Sequence, residues 1–217
     1  MSLLDDLDTS GLPGYIVVEG VIGVGKTTLV KRLSEFLNAR TVLEVFEENP
    51  FLADFYSDRG RYAFQTEMFF LLSRYRQQEG FAQEDLFSRH AVSDYLFSKC
   101  RIFAGLTLSE PEFALFDKIY GILEQSVPKP DLVIYLHAPV TDLMDRIASR
   151  GRTFEQAMDR DYISGLLGIY TDVFAHYNDT PLLTVDTSTV DFSRDDAAVV
   201  ALIKEVGRAR AGRRSFP

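Results

Sequence analysis

The stretch Gly20-Val21-Ile22-Gly23-Val24-Gly25-Lys26-Thr27, followed by Thr28, constrains this chain more than any other. It has the form G-x-x-x-x-G-K-T. An apolar, strand-like run, Tyr15–Glu19, leads into it. Beyond it Leu29, Val30, Leu33, Phe36 and Leu37 recur at helical spacing. Strand, glycine loop and helix in that order make a phosphate loop. Glycines let backbone N–H groups turn inward around phosphate oxygens, and the helix start adds the positive end of its dipole. Lys26 is expected to reach the β- and γ-phosphates of ATP, and Thr27 to ligate Mg2+. The competing reading, a chance glycine-rich turn, does not account for the strand and helix on either side. The motif alone does not separate kinase, GTPase and ATPase. The chain has no N-K-x-D guanine-reading motif, which weighs against a GTPase.

Further strand-like runs are Thr41–Phe46, Ala91–Asp94, Asp131–Leu136 and Leu182–Asp186. Helical patterns separate them. Phe64, Met68, Leu71, Leu72 and Tyr75 mark one apolar face. Asn49-Pro50 reads as a helix start, Ser109 with Glu112 as a capping box, and Ser193 as a cap for the last helix. The alternation predicts an α/β fold, a five-stranded parallel sheet with helices on both faces and ligands at the carboxyl ends of the strands. Neither a repeat nor a linker is visible, so residues 1–217 read as one domain.

Composition narrows the class. The 217 residues are 46% hydrophobic and 25% charged, the balance of a soluble globular protein. No apolar run approaches a membrane span, and the acidic start, MSLLDDLDTSG, does not resemble a targeting segment. One cysteine, Cys100, excludes an internal disulfide and fits a reducing cytoplasm. A net charge of −9 disfavours nucleic-acid polymers as partners, because that affinity comes from neutralising phosphates. His90, His137 and His176 have no metal-ligand spacing with Cys100 and read as structural.

A kinase needs positive charge on the transferring oxygens. Arg146, Arg150 and Arg152 crowd a helix end and the loop beyond it, an arginine-rich lid over about residues 146–160. A solvated basic helix end is the plainer alternative.

Several ordered strings extend the pattern: GVIGVGKTT, LEVFEENPFLADFY, RYAFQTEMFFLLSRYRQQ, VSDYLFSKCRIFA, PKPDLVIYL and RIASRGRTFE. Together they resemble the deoxynucleoside kinase family, most closely its bacterial deoxyguanosine and deoxyadenosine kinase branch. The resemblance runs from the phosphate loop to the strand near Leu183. It implies a P-loop kinase, helix-mediated dimerisation and a set of site residues. Glu44 is implied as the base for the sugar 5′-hydroxyl, although Val45 follows it where the family usually has Pro. A carboxylate in an apolar strand is costly unless paired or used. Tyr56 and Glu155 are implied at the sugar 3′-hydroxyl, and Phe103 stacked on the base.

Glu67 and Arg74, seven residues apart on one helix, match the position that reads the base. Relatives reading adenine or cytosine commonly have Gln there. A carboxylate only accepts hydrogen bonds and suits the N1–H and N2–H of guanine, whereas an amide suits adenine better. Arg74 is expected to steady both the base and Glu67. Gln65 is a rival reader, although its spacing from Arg74 points it to the opposite face. The chain also departs from the family. Where the third strand usually ends in acid-Arg-Ser it has Ser93-Asp94-Tyr95, so the Arg is missing by direct alignment. Asp94 could hold Mg2+ or its water, or simply cap a turn.

The expected function is transfer of the γ-phosphoryl of ATP, with Mg2+, to a purine deoxynucleoside, deoxyguanosine first. A deoxyadenosine or broad-specificity kinase is the nearest alternative, then a monophosphate kinase of the thymidylate type. A non-catalytic nucleotide switch is the alternative from another class. The expected partners are small molecules and a second copy of the chain.

Overall fold

The computed structural model describes residues 11–79, 89–151 and 158–216. Six strands form one sheet: β1 Tyr15–Gly20, β2 Arg40–Val42, β3 Ala91–Ser93, β4 Leu132–His137, β5 Leu182–Asp186 and β6 Arg213–Phe216. Every pairing is parallel, and the order is β2-β3-β1-β4-β5-β6. All six residues of β1 are buried, as are the first five of β4. Successive strand side chains point to opposite faces, so both faces of the sheet are covered. The helices are α1 Lys26–Leu37, α2 Leu52–Ser57, α3 Arg59–Glu79, α4 Lys99–Thr107, α5 Glu110–Glu124, α6 Val140–Arg150, α7 Arg160–His176 and α8 Asp196–Arg208. No described helix is long and apolar enough to cross a membrane.

The sixth strand departs from the expected five. β6 is mostly exposed and polar, RRSF, and lacks the apolar alternation by which strands are recognised. It is held instead by its edge pairing with β5 and by Arg213. That guanidinium donates to the carbonyls of Ala175 (2.9 Å) and Tyr177 (3.1 Å), and to that of Phe174, at the end of α7. Carbonyls there lack helical partners and accept readily.

The second strand stops at Val42 rather than Phe46. Beyond Val42 the main chain turns to the carboxylate of Asp94, which accepts the Glu44 N–H at 2.8 Å. Caps also differ in part. Glu112 accepts from the N–H of Ser109 at 3.0 Å, as the capping box requires. The last helix is capped by Asp195, which accepts from the Ala198 N–H, and not by Ser193. Asn49-Pro50 does not start α2, which is preceded by Phe51; Asn49 instead accepts from the Phe51 N–H in the turn before it.

β1 lies between β3 and β4, where the sheet changes direction of growth. Crevices open at such points, beyond the carboxyl ends of the strands. The loop after β1 needs its glycines here. Gly20 has φ +150°, and a Cβ on it would lie 2.4 Å from the Leu136 carbonyl oxygen of β4. Gly25, at the start of α1, has φ +104°, a conformation that other residues rarely adopt.

Candidate active site

Two cavities flank the phosphate loop. One of about 410 Å3 is lined by Lys26, Thr27, Glu44, Tyr56, Glu67, Arg74, Asp94, Phe103 and Arg150, all expected site residues. The other, of about 590 Å3, is lined by Gly23, Val24, Gly25, Thr28, Arg146 and Arg150, with Thr187 on its far side. The cavities share Gly23 and Arg150. Val21 is buried in the core beneath the loop, and Ile22 borders the first cavity. Arg152 and Glu155 lie outside the described residues.

Lys26 donates to the carbonyls of Gly20 (2.7 Å) and Val21 (3.2 Å). Burial, and next to it the charge of Lys99, lower its pKa to about 8. Behind the loop, Glu19 is fully buried. It accepts from the N–H groups of Gly20 (2.9 Å) and Leu96 (2.8 Å) and from the Tyr170 hydroxyl (3.3 Å). A buried carboxylate needs such donors. Glu19 thereby ties β1 to the segment before α4 and to α7.

The hydroxyl of Thr27 donates to Asp94 at 2.7 Å. Among the described residues no group of three or more His, Cys, Asp or Glu side chains could hold a metal. A hydroxyl beside one carboxylate still suits Mg2+, which commonly takes one or two protein oxygens and completes its shell from phosphates and water.

Glu44 is the best-held carboxylate of the first cavity. Arg74 donates to its Oε1 through Nε, at 2.9 Å, and through Nη2. Lys99 donates to its Oε2 at 2.7 Å. Burial pushes this carboxyl up, but the charges of Arg74 and Lys99 outweigh it and hold Glu44 well below the usual carboxylate range.

Arg74 does not steady Glu67 by a hydrogen bond, as the sequence suggested. Its third contact goes to the sulfur of Cys100, 3.0 Å away. Glu67 is 2% exposed, and Thr107 donates to its Oε1 at 3.1 Å. Burial pushes its carboxyl up to about 7, against the opposing charge of Arg74. Gln65 is exposed on the other side of α3. The buried face of this helix carries Ala63, Thr66, Glu67, Leu71, Arg74 and Gln78. Of the apolar stripe read from the sequence, Leu71 is fully buried and Met68 and Tyr75 pack against its cluster, whereas Leu72 is 46% exposed.

Arg146, expected as a lid arginine, borders the second cavity beside the phosphate loop. Its guanidinium donates to Thr187, at 2.9 Å to the hydroxyl and 2.6 Å to the carbonyl, and to the Val24 carbonyl at 3.3 Å. It thus fastens the wall of the second cavity to the phosphate loop. Phe103 is half-buried beneath Lys99, whose Nζ lies 5.6 Å from the ring centroid. Sequence reasoning missed Lys99 and Tyr162, both cavity residues. Lys99 had a signal: a lone lysine four residues before Phe103, on the same helical face. Tyr162, with the Arg59 guanidinium 4.1 Å from its ring centroid, had none.

This arrangement offers an acceptor carboxylate, a phosphate loop and a base-sized cavity in one crevice. Comparison with known proteins agrees. Deoxyguanosine kinase of Bacillus subtilis is 36% identical over 200 residues, covering 88% of this chain and 97% of that protein. The deoxyadenosine kinase of Lactobacillus acidophilus is 31% identical over 88% of this chain and 94% of that one. The solved structure of deoxyadenosine kinase from M. mycoides with bound dATP superposes with a TM-score of 0.74 at 23% identity, covering 88% of this chain and 97% of that one. The family model for deoxynucleoside kinases matches residues 16–209, a span that takes in the phosphate loop, the Glu44 cluster and both cavities, so this chain belongs to the deoxynucleoside kinase family of ATP-dependent phosphotransferases.

Proposed function

We propose that this kinase phosphorylates the 5′-hydroxyl of purine deoxynucleosides, deoxyguanosine first. The observation that carries the reading is the state of Glu67. It is a buried carboxylate on the cavity wall with one hydrogen bond, from Thr107, while Arg74 is committed to Glu44 and Cys100. Its remaining lone pairs call for donors, and guanine brings N1–H and N2–H side by side. The name of the Bacillus subtilis relative, deoxyguanosine kinase, supports the same reading. A deoxyadenosine activity is the second reading. It is favoured by the Glu67 carboxyl lying near neutrality, because the protonated acid both donates and accepts, as adenine requires.

In this reading Glu44 accepts the proton of the 5′-hydroxyl and orients its oxygen. Lys26 and the lid arginines Arg150 and Arg152 stabilise charge on the moving phosphoryl group. Arg146 contributes through its hold on Val24 and Thr187. Thr27 and Asp94 would hold Mg2+, which supplies charge neutralisation on the triphosphate. Tyr56 and Glu155 contact the 3′-hydroxyl, and Phe103 stacks on the base. The apolar residues that α3 and α5 expose, Leu72, Leu115 and Ile122, support a homodimer through these helices.

The test offers purified protein, Mg2+ and labelled ATP to each nucleoside and each monophosphate. The expected result is label on deoxyguanosine and, more weakly, deoxyadenosine. Label confined to monophosphates overturns the assignment in favour of a monophosphate kinase. No transfer to any acceptor favours a nucleotide switch.

A further inference from the structure

Glu44 has more partners than a proton acceptor needs, and their distribution is uneven. A carboxylate offers about four lone-pair sites, two per oxygen. Arg74 places two donors, from Nε and Nη2, on Oε1 and so fills that oxygen. Lys99 places one donor on Oε2 at 2.7 Å. The backbone is pinned as well, because the Glu44 N–H donates to Asp94. One lone-pair site of the four is left, on Oε2, and both Glu44 and Lys99 border the cavity.

Resting on the reading of Glu44 as acceptor of the 5′-hydroxyl, we propose that Lys99 is a positioning residue for phosphoryl transfer. It occupies one side of Glu44 Oε2 and thereby aims the remaining lone pair of that oxygen at the acceptor hydroxyl. No contact between Lys99 and the base or sugar is required. A lysine suits the task because its ammonium is a compact donor that takes one site, whereas a guanidinium fork tends to take two. Arg74 illustrates the difference on the other oxygen. Lys99 is itself held in place: it is 5% exposed and lies against the Phe103 ring.

Arg74 still neutralises Glu44 when Lys99 is absent, so K99M leaves the buried carboxylate one of its two countercharges. Misplacement of a reacting group by about 1 Å costs on the order of 10²-fold in rate. K99M is therefore expected to lower kcat about 10²-fold while the KM for deoxynucleoside stays within about threefold. K99R, whose guanidinium fork tends to take both sites of Oε2, recovers no more than about threefold of that loss. If Lys99 acts through Glu44, E44Q/K99M loses no more than about threefold beyond E44Q alone. A merely structural lysine predicts a lower melting temperature and no such pattern.

Two results overturn the proposal while leaving Glu44 in its role: a K99M kcat within about threefold of the parent when E44Q is crippled, or losses that multiply in the double variant. A near-normal kcat for E44Q overturns the role of Glu44 and the proposal with it. Should K99M fail to fold, K99Q decides by the same kcat and KM criteria.

Discussion

Replacing Glu67 by Gln tests the specificity reading and the electrostatics together. The carboxyl is buried, has Thr107 as its hydrogen-bond donor and is raised from 4.5 to about 7 by burial. Its raised pKa means that the folded, ligand-free protein binds a proton more readily than the unfolded chain between those values. The stability associated with this group is fully present below pH 4.5 and is lost as pH rises to about 7. Above pH 7 the ionised Glu67 destabilises the fold by up to about 3 kcal/mol, from about 1.4 kcal/mol per pKa unit. Glu67→Gln removes that penalty. The variant is expected to melt several degrees above the parent at pH 8 and to converge with it at pH 5.

Substrate preference follows the same titration. On the proposed reading, the ionised form accepts from N1–H and N2–H of guanine. The protonated form donates to N1 of adenine and accepts from its N6. An unmatched buried acceptor costs about 1–3 kcal/mol, or roughly a 10- to 100-fold preference. The ratio of kcat/KM for deoxyguanosine over deoxyadenosine in the parent therefore rises between about pH 6 and 8. In Glu67→Gln the ratio shifts towards deoxyadenosine and loses its pH dependence. Steady-state kinetics with both nucleosides across that range, together with melting curves at pH 5 and 8, provide the measurement. An identical ratio in parent and variant removes Glu67 as the base reader. An unchanged melting difference between the two pH values refutes the assigned titration.

Asp94→Asn keeps the contact with Thr27 but removes a charge, and is expected to raise the Mg2+ concentration needed for half-maximal rate. An unchanged Mg2+ titration would leave Asp94 as a turn residue holding the Glu44 backbone. Leu72→Glu combined with Ile122→Glu places charges on the apolar faces of α3 and α5, and sedimentation is expected to show loss of a dimer. Sedimentation of the parent as a monomer would remove that surface from consideration. Arg213→Ala strips three carbonyls at the end of α7 of their donor and is expected to lower stability by about 1–3 kcal/mol, measured by urea unfolding.

Much of this was legible in the sequence where local pattern and chemistry coincide. The phosphate loop is the clearest case, because its glycines, lysine and flanking elements are contiguous. β1, β3, β4 and β5 were readable as apolar runs because strands buried on both faces have little else in them, and β2 was read from a run that continues to Phe46 past its end at Val42. The sixth was not, since an edge strand held by a side chain to a helix end carries no apolar signature. Glu44 and Glu67 could be nominated, but their partners could not. Arg74 lies seven residues from Glu67 on the same helix, and spacing favoured that pair. Folding offers it Glu44 from another element, a better-placed carboxylate. The same limit hid Lys99, because the contact that gives it meaning spans 55 residues. The missing arginine after β3 was visible in the sequence. The lysine bonded to Glu44 was visible only once α4 had been laid beside the end of β2.

The buried carboxylate of Glu19 bears on how such a kinase can be rebuilt. It joins a loop glycine, the backbone ahead of α4 and a tyrosine of α7 at one point within an apolar interior. Tyr170 therefore belongs to the phosphate loop as much as to its own helix. A chimera that imports α7 without a hydroxyl at this position leaves an acid in the interior short of a donor. Grafts between relatives then have their natural seams outside the Glu19–Tyr170 pair, with the two residues transferred as a unit.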